Sequence, residues 1–135
     1  HEIAFADTIG VGVPAQVTEI LSRARAALPG MRLRAHFHNT RNTGLANAYA
    51  AVEAGVSALD ASTGGIGGCP FAPAATGNIP TEDLVYMLQR SGVTSGVDLE
   101  KLISIGHWLQ QTLGRPIPSM LVKAGSFPRP AQQAA

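Results

Sequence analysis

The sequence has little of three features that would each point to a specialised class of protein. It has one cysteine among 135 residues, which excludes an internal disulfide framework and fits a reducing compartment. Ten basic and nine acidic residues give a net charge of +1 without a basic cluster, so nucleic-acid and membrane-surface binding have no electrostatic support. No apolar run approaches the length of a membrane span, and HEIAFADT does not resemble a signal peptide. We therefore expect a soluble cytoplasmic protein that binds neither nucleic acid nor a membrane.

The sequence does contain enough hydrophobic residues for a packed core, in a regular alternation of strand and helix patterns. Hydrophobic residues make up 45% of the chain, well above the content of disordered segments. Short apolar runs predict strands at EIAFA (2–6), RLRAHFH (32–38) and VSALDA (56–61). Helices are predicted at 13–30, at 44–55, from about 80 to 90 and, capped by Asp98, at 98–113. Val17, Ile20, Leu21, Ala24 and Leu28 recur at helical spacing along the first.

Strands that are each followed by a helix or a loop predict parallel pairing with right-handed crossovers. Three parallel strands make a poor sheet alone, but they fit the C-terminal part of a (β/α)₈ TIM barrel, whose full size is about 250 residues. The start without Met or a leading loop also suggests a piece of a longer chain. We therefore predict an α/β fold in which residues 1–122 form the C-terminal part of a TIM barrel with C-terminal helices, followed by a flexible tail over 123–135.

Polar residues follow each predicted strand at the end where TIM barrels place their chemistry, namely Asp7, His36, His38, Asp60 and Ser62. Residues two apart on a strand point to the same face, so His36 and His38 are placed to bind one metal ion. The alternative is a pair of hydrogen-bonded histidines in a polar pocket, or one histidine facing solvent. Asp60 and Ser62 could equally only cap the loop that follows them.

The single cysteine lies in a loop-forming stretch, STGGIGGCPFAPAATGNIPTED, at residues 62–83. A cysteine kept for packing usually lies in an apolar strand or helix, whereas Cys69 lies between Gly68 and Pro70, which favour turns. This context indicates a thiol that is presented to a ligand. The alternative is a small residue in a tight loop.

Four stretches together resemble the 3-hydroxy-3-methylglutaryl-CoA lyases: FADTIGVGVP, HFHNTRNTGLANAYAAVEAG, GGIGGCPFAPAATGN and TEDLVYML. The resemblance covers residues from about 2 to 122, and its most distinctive part is the cysteine loop followed by TEDLVYML. It implies a TIM-barrel member of the metal-dependent aldolase/synthase superfamily. It also implies metal-dependent cleavage of a 3-hydroxyacyl-CoA to acetyl-CoA and acetoacetate, as in leucine degradation.

The resemblance also implies roles for individual residues. His36, His38 and Asn78 would bind Mg²⁺ or Mn²⁺, which accept imidazole nitrogens together with oxygen ligands. Cys69 would be the catalytic thiol on a mobile loop, and Asp7 and Glu82 would be acidic residues that support the active site. The partner would be a small acyl-CoA substrate. A homo-oligomer is also expected, because a partial barrel has exposed strand edges.

Two departures from the family pattern limit these implications. Asn39 stands where the better-known lyases have Asp, which puts the acyl specificity in doubt. The family's first-strand Asp, a metal ligand, and its catalytic Arg have no counterpart here, because Arg32, Arg34 and Arg41 lie in the wrong context. Two simpler roles also stay open: Asn78 could cap the helix that begins near residue 80, and Asp83 could be a first-turn charge favoured by the helix dipole.

Two other functions stay open for the same residues. One is an aldolase or carboligating synthase that acts on a 2-ketoacid, although the cysteine loop argues against it. The other is an inactive half-barrel, which the missing Asp and Arg would explain.

Overall fold

The computed structural model describes residues 1–68 and 74–128, in which three strands form a parallel sheet. The strands, in spatial order, are β1 (Glu2–Asp7), β2 (Arg32–Phe37) and β3 (Ala58–Asp60). The register places His36 beside Ala6 on one side and beside Asp60 on the other. Both pairings are parallel, which confirms the predicted α/β arrangement with helical connections.

Five α-helices and one 3₁₀ turn complete the described part of the chain. They are α1 (Pro14–Ala27), α2 (Gly44–Glu53), the turn Thr63–Gly65, α3 (Thr81–Arg90), α4 (Leu99–Leu113) and α5 (Leu121–Ala124). The predicted cap of α4 is confirmed, since the Asp98 carboxylate accepts the Lys101 N–H at 3.1 Å. None of these helices is long and apolar enough to cross a membrane.

The hydrophobic core lies against one face of the sheet, and the polar residues of β2 occupy the other. Leu33, Ala35 and Phe37 are at most 5% exposed and belong to the core cluster with residues of α1, α2 and α3. Burying side chains as large as Leu33 or Phe37 contributes about 1.5–3 kcal/mol each. Because side chains alternate along a strand, Arg34 and His36 lie on the opposite face.

Helix α1 buries only part of the apolar stripe that its helical spacing defines. Val17 and Leu21 are buried, whereas Ile20 is 49% and Leu28 39% exposed. Ile20 and Phe5 line an open apolar cavity of about 240 Å³ beside β1. Helical periodicity identifies an apolar face, but it does not determine how much of that face a neighbouring element covers.

Residues 77–80 bring the chain back between the carboxyl ends of β2 and β3. Asn78 forms an isolated antiparallel bridge with His38, and the Ser62 N–H donates to the Ile79 carbonyl at 3.1 Å. The Ile79 side chain is completely buried in the core. This crossing places Asn78 directly beside a histidine that is 40 residues earlier in the sequence.

Helix α5 is held in place by Asp83, which lies in the first turn of α3. Its buried carboxylate accepts three hydrogen bonds of 2.9–3.0 Å, from Ser119 Oγ, Met120 N and Leu121 N. Asp83 therefore does more than complement the helix dipole, because it anchors the chain that follows α4. The helical conformation continues to Ala124, two residues beyond the predicted boundary at 122. Residues 129–135 of the predicted tail lie outside the described residues.

Candidate active site

Two imidazoles lie together at the carboxyl end of β2. His36 is in the strand and His38 follows it directly, and their ring centroids are 5.0 Å apart in an edge-on arrangement. Burial lowers the pKa of His36 below its usual 6.5, and the positive charges of His38 and Arg34 act in the same direction, against Asp60 and Asp7. The neutral imidazole that binds metals is therefore favoured at His36.

His38 is the more enclosed of the two histidines. It is 5% exposed, and its Nδ1 is buried without a hydrogen-bond partner within residues 1–68 and 74–128. Buried polar atoms are nearly always paired, so a buried imidazole nitrogen without a protein partner needs an explanation. A metal ion bound at this histidine would supply one.

Asn78 is bridged to His38 through the backbone, so the two residues lie at the same strand end. Its Nδ2 donates to the Ile66 carbonyl at 3.0 Å, so the amide nitrogen is committed to the start of the glycine-rich loop. The residue that precedes α3 is Pro80, and α3 has no side-chain cap. Asn78 therefore does not act as the helix cap that the sequence left open, and its amide oxygen is the atom suited to a metal.

Asp7 shapes the loop that follows β1. Its two carboxylate oxygens accept the N–H groups of Val11 at 3.1 Å and of Gly12 at 2.9 Å. The Gly12 carbonyl in turn accepts hydrogen bonds from the Thr43 hydroxyl and from the amide of the buried Asn47. The carboxylate thus fixes the conformation of the loop between β1 and α1.

Glu82 is completely buried in the first turn of α3. Both of its carboxylate oxygens lie 2.9 Å from the Gly64 N–H, in the 3₁₀ turn that opens the glycine-rich loop. Desolvation raises the pKa of Glu82, although the hydrogen bonds from its own backbone and from Gly64 oppose the change. Glu82 thus holds the turn that opens the glycine-rich loop, and its predicted catalytic role stays a prediction.

The two stems of the glycine-rich loop meet at Gly67 and Gly77. Gly77 has a φ of +90°, and a Cβ added there would lie 1.7 Å from the Gly67 carbonyl oxygen. Only glycine fits such a position, because both the backbone conformation and the space exclude a side chain. Cys69, predicted to be the catalytic thiol, lies between these stems in sequence and outside the described residues.

Asn39, the departure from the family pattern, has a structural contact. Its Oδ1 accepts the Gly44 N–H at 3.1 Å, at the start of α2, and its Nδ2 lies 3.3 Å from Asn42 Oδ1. The side chain is thus committed to the turn between β2 and α2, which Asn supports without a negative charge.

The sequence predicted Asp60 at a strand end but not its contact with His36. Asp60 does not simply cap a loop: its Oδ2 lies 3.9 Å from His36 Nδ1 and 3.6 Å from Arg34 Nε. The signal was present in the strand pattern, since Asp60 ends β3 as His36 nears the end of β2. The pairing of β2 with β3 was needed to place the two side by side.

The donors that the structure brings together fit a divalent cation. They are two imidazoles and one amide, and the orphaned His38 Nδ1 is consistent with a ligand position. In the described residues no group of three or more His, Cys, Asp or Glu side chains converges to hold a metal. A complete coordination shell around His36, His38 and Asn78 therefore requires further oxygen ligands.

The fold and the site define an α/β domain of the TIM-barrel kind, with its polar groups at the carboxyl ends of parallel strands. The chain belongs to the HMGL-like family, which its sequence matches over residues 1–109. Family and fold together confirm the predicted resemblance and the predicted partial TIM barrel.

Three relatives illustrate the similarity. The chain is 51% identical over 124 residues to (R)-citramalyl-CoA lyase of Chloroflexus aurantiacus, covering 92% of this chain and 39% of that protein. It is 45% identical over 118 residues to hydroxymethylglutaryl-CoA lyase of Bacillus subtilis, covering 87% of this chain and 40% of that protein. A solved HMG-CoA lyase from Acinetobacter baumannii, in complex with coenzyme A and 3-methylmalate, superimposes with a TM-score of 0.88 at 45% identity, covering 100% of this chain and 43% of that chain. The chain thus spans about two fifths of the length of these lyases.

Proposed function

We propose that the chain is the metal-binding part of a carbon–carbon lyase that cleaves a 3-hydroxyacyl-CoA to acetyl-CoA and a ketoacid. The observation that carries the proposal is the meeting of His36, His38 and Asn78 at the carboxyl end of the sheet. Membership of the HMGL-like family, and relatives named as lyases of CoA thioesters, support it.

In the proposed cleavage, each of these residues would have a separate role. Cleavage between C2 and C3 requires loss of the 3-hydroxyl proton and moves the bonding electrons into the enolate of acetyl-CoA. When bound, Mg²⁺ or Mn²⁺ would lower the pKa of the substrate hydroxyl and fix its oxygens. His36 and His38 would present neutral nitrogens, Asn78 its amide oxygen, and Asp7 would hold the neighbouring loop in shape.

Cys69 would protonate the enolate at the end of the reaction. A thiol has a pKa near 8.5 in model compounds, whereas a serine hydroxyl is a far weaker acid. In the full-length protein Cys69→Ser should therefore lower turnover by about 10²–10⁴-fold, the usual contribution of a general acid, while the Mn²⁺ affinity stays unchanged. Near-normal turnover of the serine variant would show that the thiol is only a loop residue.

Two acyl groups are the main candidates, because relatives of both kinds match the chain at 45–51% identity. The test is to assay the full-length protein with 3-hydroxy-3-methylglutaryl-CoA and with citramalyl-CoA, with and without Mn²⁺, while acetyl-CoA and the ketoacid are measured separately. Cleavage of either thioester that depends on the metal supports the proposal, and the larger kcat/KM identifies the acyl group. If neither thioester is cleaved, while acetyl-CoA is condensed with a 2-ketoacid, the carboligating alternative replaces the lyase.

A further inference from the structure

Three charged side chains form a cluster beside His36, on the sheet face opposite the core. They are Glu2 of β1, Arg34 of β2 and Asp60 of β3, and we call them the Glu2–Arg34–Asp60 cluster. Arg34 Nε lies 3.7 Å from Glu2 Oε1 and 3.6 Å from Asp60 Oδ2. Each strand of the sheet thus contributes one member, and the arginine lies between the two carboxylates.

One oxygen links this cluster to the candidate metal site. Asp60 Oδ2, which faces the Arg34 guanidinium, also lies 3.9 Å from His36 Nδ1. His36 and Asp60 are direct partners in the register of β2 and β3, so the backbone fixes their spacing. The carboxylate is therefore placed at the Nδ1 edge of the imidazole, and Nε2 is the ring nitrogen left for a ligand.

The guanidinium keeps the carboxylate there by charge. Arg34 Nε is buried and has no hydrogen-bond partner within residues 1–68 and 74–128, and both carboxylates lie beyond ordinary hydrogen-bond length. Without a cation between them, the carboxylates of Glu2 and Asp60 would face each other across a half-exposed strand position. Asp60 would then lose the charge attraction that holds it on the sheet face, and its side chain could turn towards solvent.

We propose that Arg34 is a positioning residue for His36, which it orients through Asp60. Histidine ligands commonly donate their second N–H to a carboxylate, which fixes the tautomer and strengthens the ligand nitrogen. Asp60 would accept the Nδ1–H of His36, and Nε2 would carry the lone pair that binds the metal. This inference rests on the metal site proposed above.

The test compares three variants of the full-length protein: Arg34→Met, which removes the charge but keeps most of the length; Arg34→Lys, which keeps the charge; and Arg32→Met as a matched control. Arg32 is an exposed arginine of the same strand, two residues further from His36. The first measurement is ¹⁵N NMR of the histidine side chains in the metal-free protein. Wild type, Arg34→Lys and Arg32→Met should show His36 with its proton on Nδ1, whereas Arg34→Met should show a mixture of tautomers.

The second measurement is Mn²⁺ affinity by calorimetry. Loss of a group that orients a ligand typically costs about 10–100-fold in metal affinity, so Arg34→Met should weaken Mn²⁺ binding by that factor. Arg34→Lys should recover most of it, and Arg32→Met should bind as wild type does. If Arg34→Met leaves both tautomer and affinity unchanged, the proposal is overturned.

Two further outcomes keep the test decisive. If Arg34→Met does not fold, Asp60→Ala, which leaves no acceptor for the His36 Nδ1–H, must shift the His36 tautomer in its place, and an unchanged tautomer in Asp60→Ala overturns the proposal. If the wild-type protein binds no Mn²⁺, the metal site and the proposed function fail, while the tautomer measurement still decides whether Arg34 orients His36.

Discussion

At the scale of single residues, His36 and His38 are the proposed imidazole ligands of one divalent cation, with ring centroids 5.0 Å apart. In the full-length protein, His38→Ala should weaken Mn²⁺ binding by at least about 10-fold, since even residues that only support a ligand cost that much. Calorimetry would measure the affinity. His107→Ala, at an exposed position of α4, is the control and should bind Mn²⁺ like wild type. Equal affinity of His38→Ala and the control would remove His38 from the ligand set.

A second prediction at this scale concerns Glu82, whose pKa is raised by burial. The folded protein then holds the Glu82 proton more tightly than the unfolded chain does, whose value is about 4.5. The stability that this proton contributes is complete below pH 4.5 and is lost as pH rises through the folded pKa. Glu82→Gln cannot titrate, so the free energy of unfolding of the full-length variant should improve relative to wild type as pH rises from 4.5.

Urea unfolding at several pH values between 4.5 and 7.5 would measure this change. Glu53→Gln, at an exposed position of α2, is the control and should follow the wild-type pH dependence. Parallel curves for wild type and Glu82→Gln would mean that Glu82 has an ordinary pKa in the folded protein.

At the scale of elements, the glycine-rich loop depends on the contact between its stems. Gly77→Ala should strongly destabilise the full-length protein, because the new Cβ would overlap the Gly67 carbonyl in addition to straining a φ of +90°. Gly92→Ala is a matched control: its φ is +81°, but nothing lies within 4 Å of an added Cβ. It should cost only the backbone strain, about 1–2 kcal/mol.

The measurement is the free energy of unfolding of both variants against wild type. Gly77→Ala should lose clearly more than Gly92→Ala, and it should also lower turnover if the stems position Cys69. Equal losses in the two variants would show that the stems separate without cost.

At the scale of the whole molecule, the described sheet is open at both edges. β1 and β3 each pair on one side only within the described residues, and apolar cavities lie along both edges. Unpaired edges and uncovered apolar surface favour association. The 135-residue chain alone should therefore associate in solution, and light scattering that shows a stable monomer would contradict this.

The same chain alone should have little or no lyase activity. In the family that the sequence resembles, a further metal ligand, an Asp, and a catalytic Arg are implied on another strand of the barrel. This chain spans only about two fifths of the length of its relatives. The assay is acetyl-CoA release by the purified 135-residue chain beside the full-length protein, at equal Mn²⁺. Turnover by the short chain at a rate near that of the full-length protein would show that His36, His38, Asn78 and Cys69 suffice.

Much of the candidate site follows from local pattern. The two-residue spacing of His36 and His38 on a strand predicts that they share a face, and the 5.0 Å between their rings agrees. What the pattern could not supply was Asp60, because its proximity to His36 depends on the register between two strands. Likewise, Asn78 donates to the Ile66 carbonyl and does not cap α3. This contact depends on where the end of the glycine-rich loop packs against its start.

The sequence by itself determined the order of strands and helices, the cap of α4 and the strand-end position of the polar groups. These features depend on residues within a few positions of one another, which periodicity and capping preferences describe. Only the tertiary structure decided that Glu82 supports Gly64, that Asp83 anchors α5 and that Ile20 lies at an open edge. In the first two cases the contacting residues are far apart in the sequence. In the third, the burial of the side chain depends on which elements pack against it, so all three depend on the tertiary arrangement of the elements.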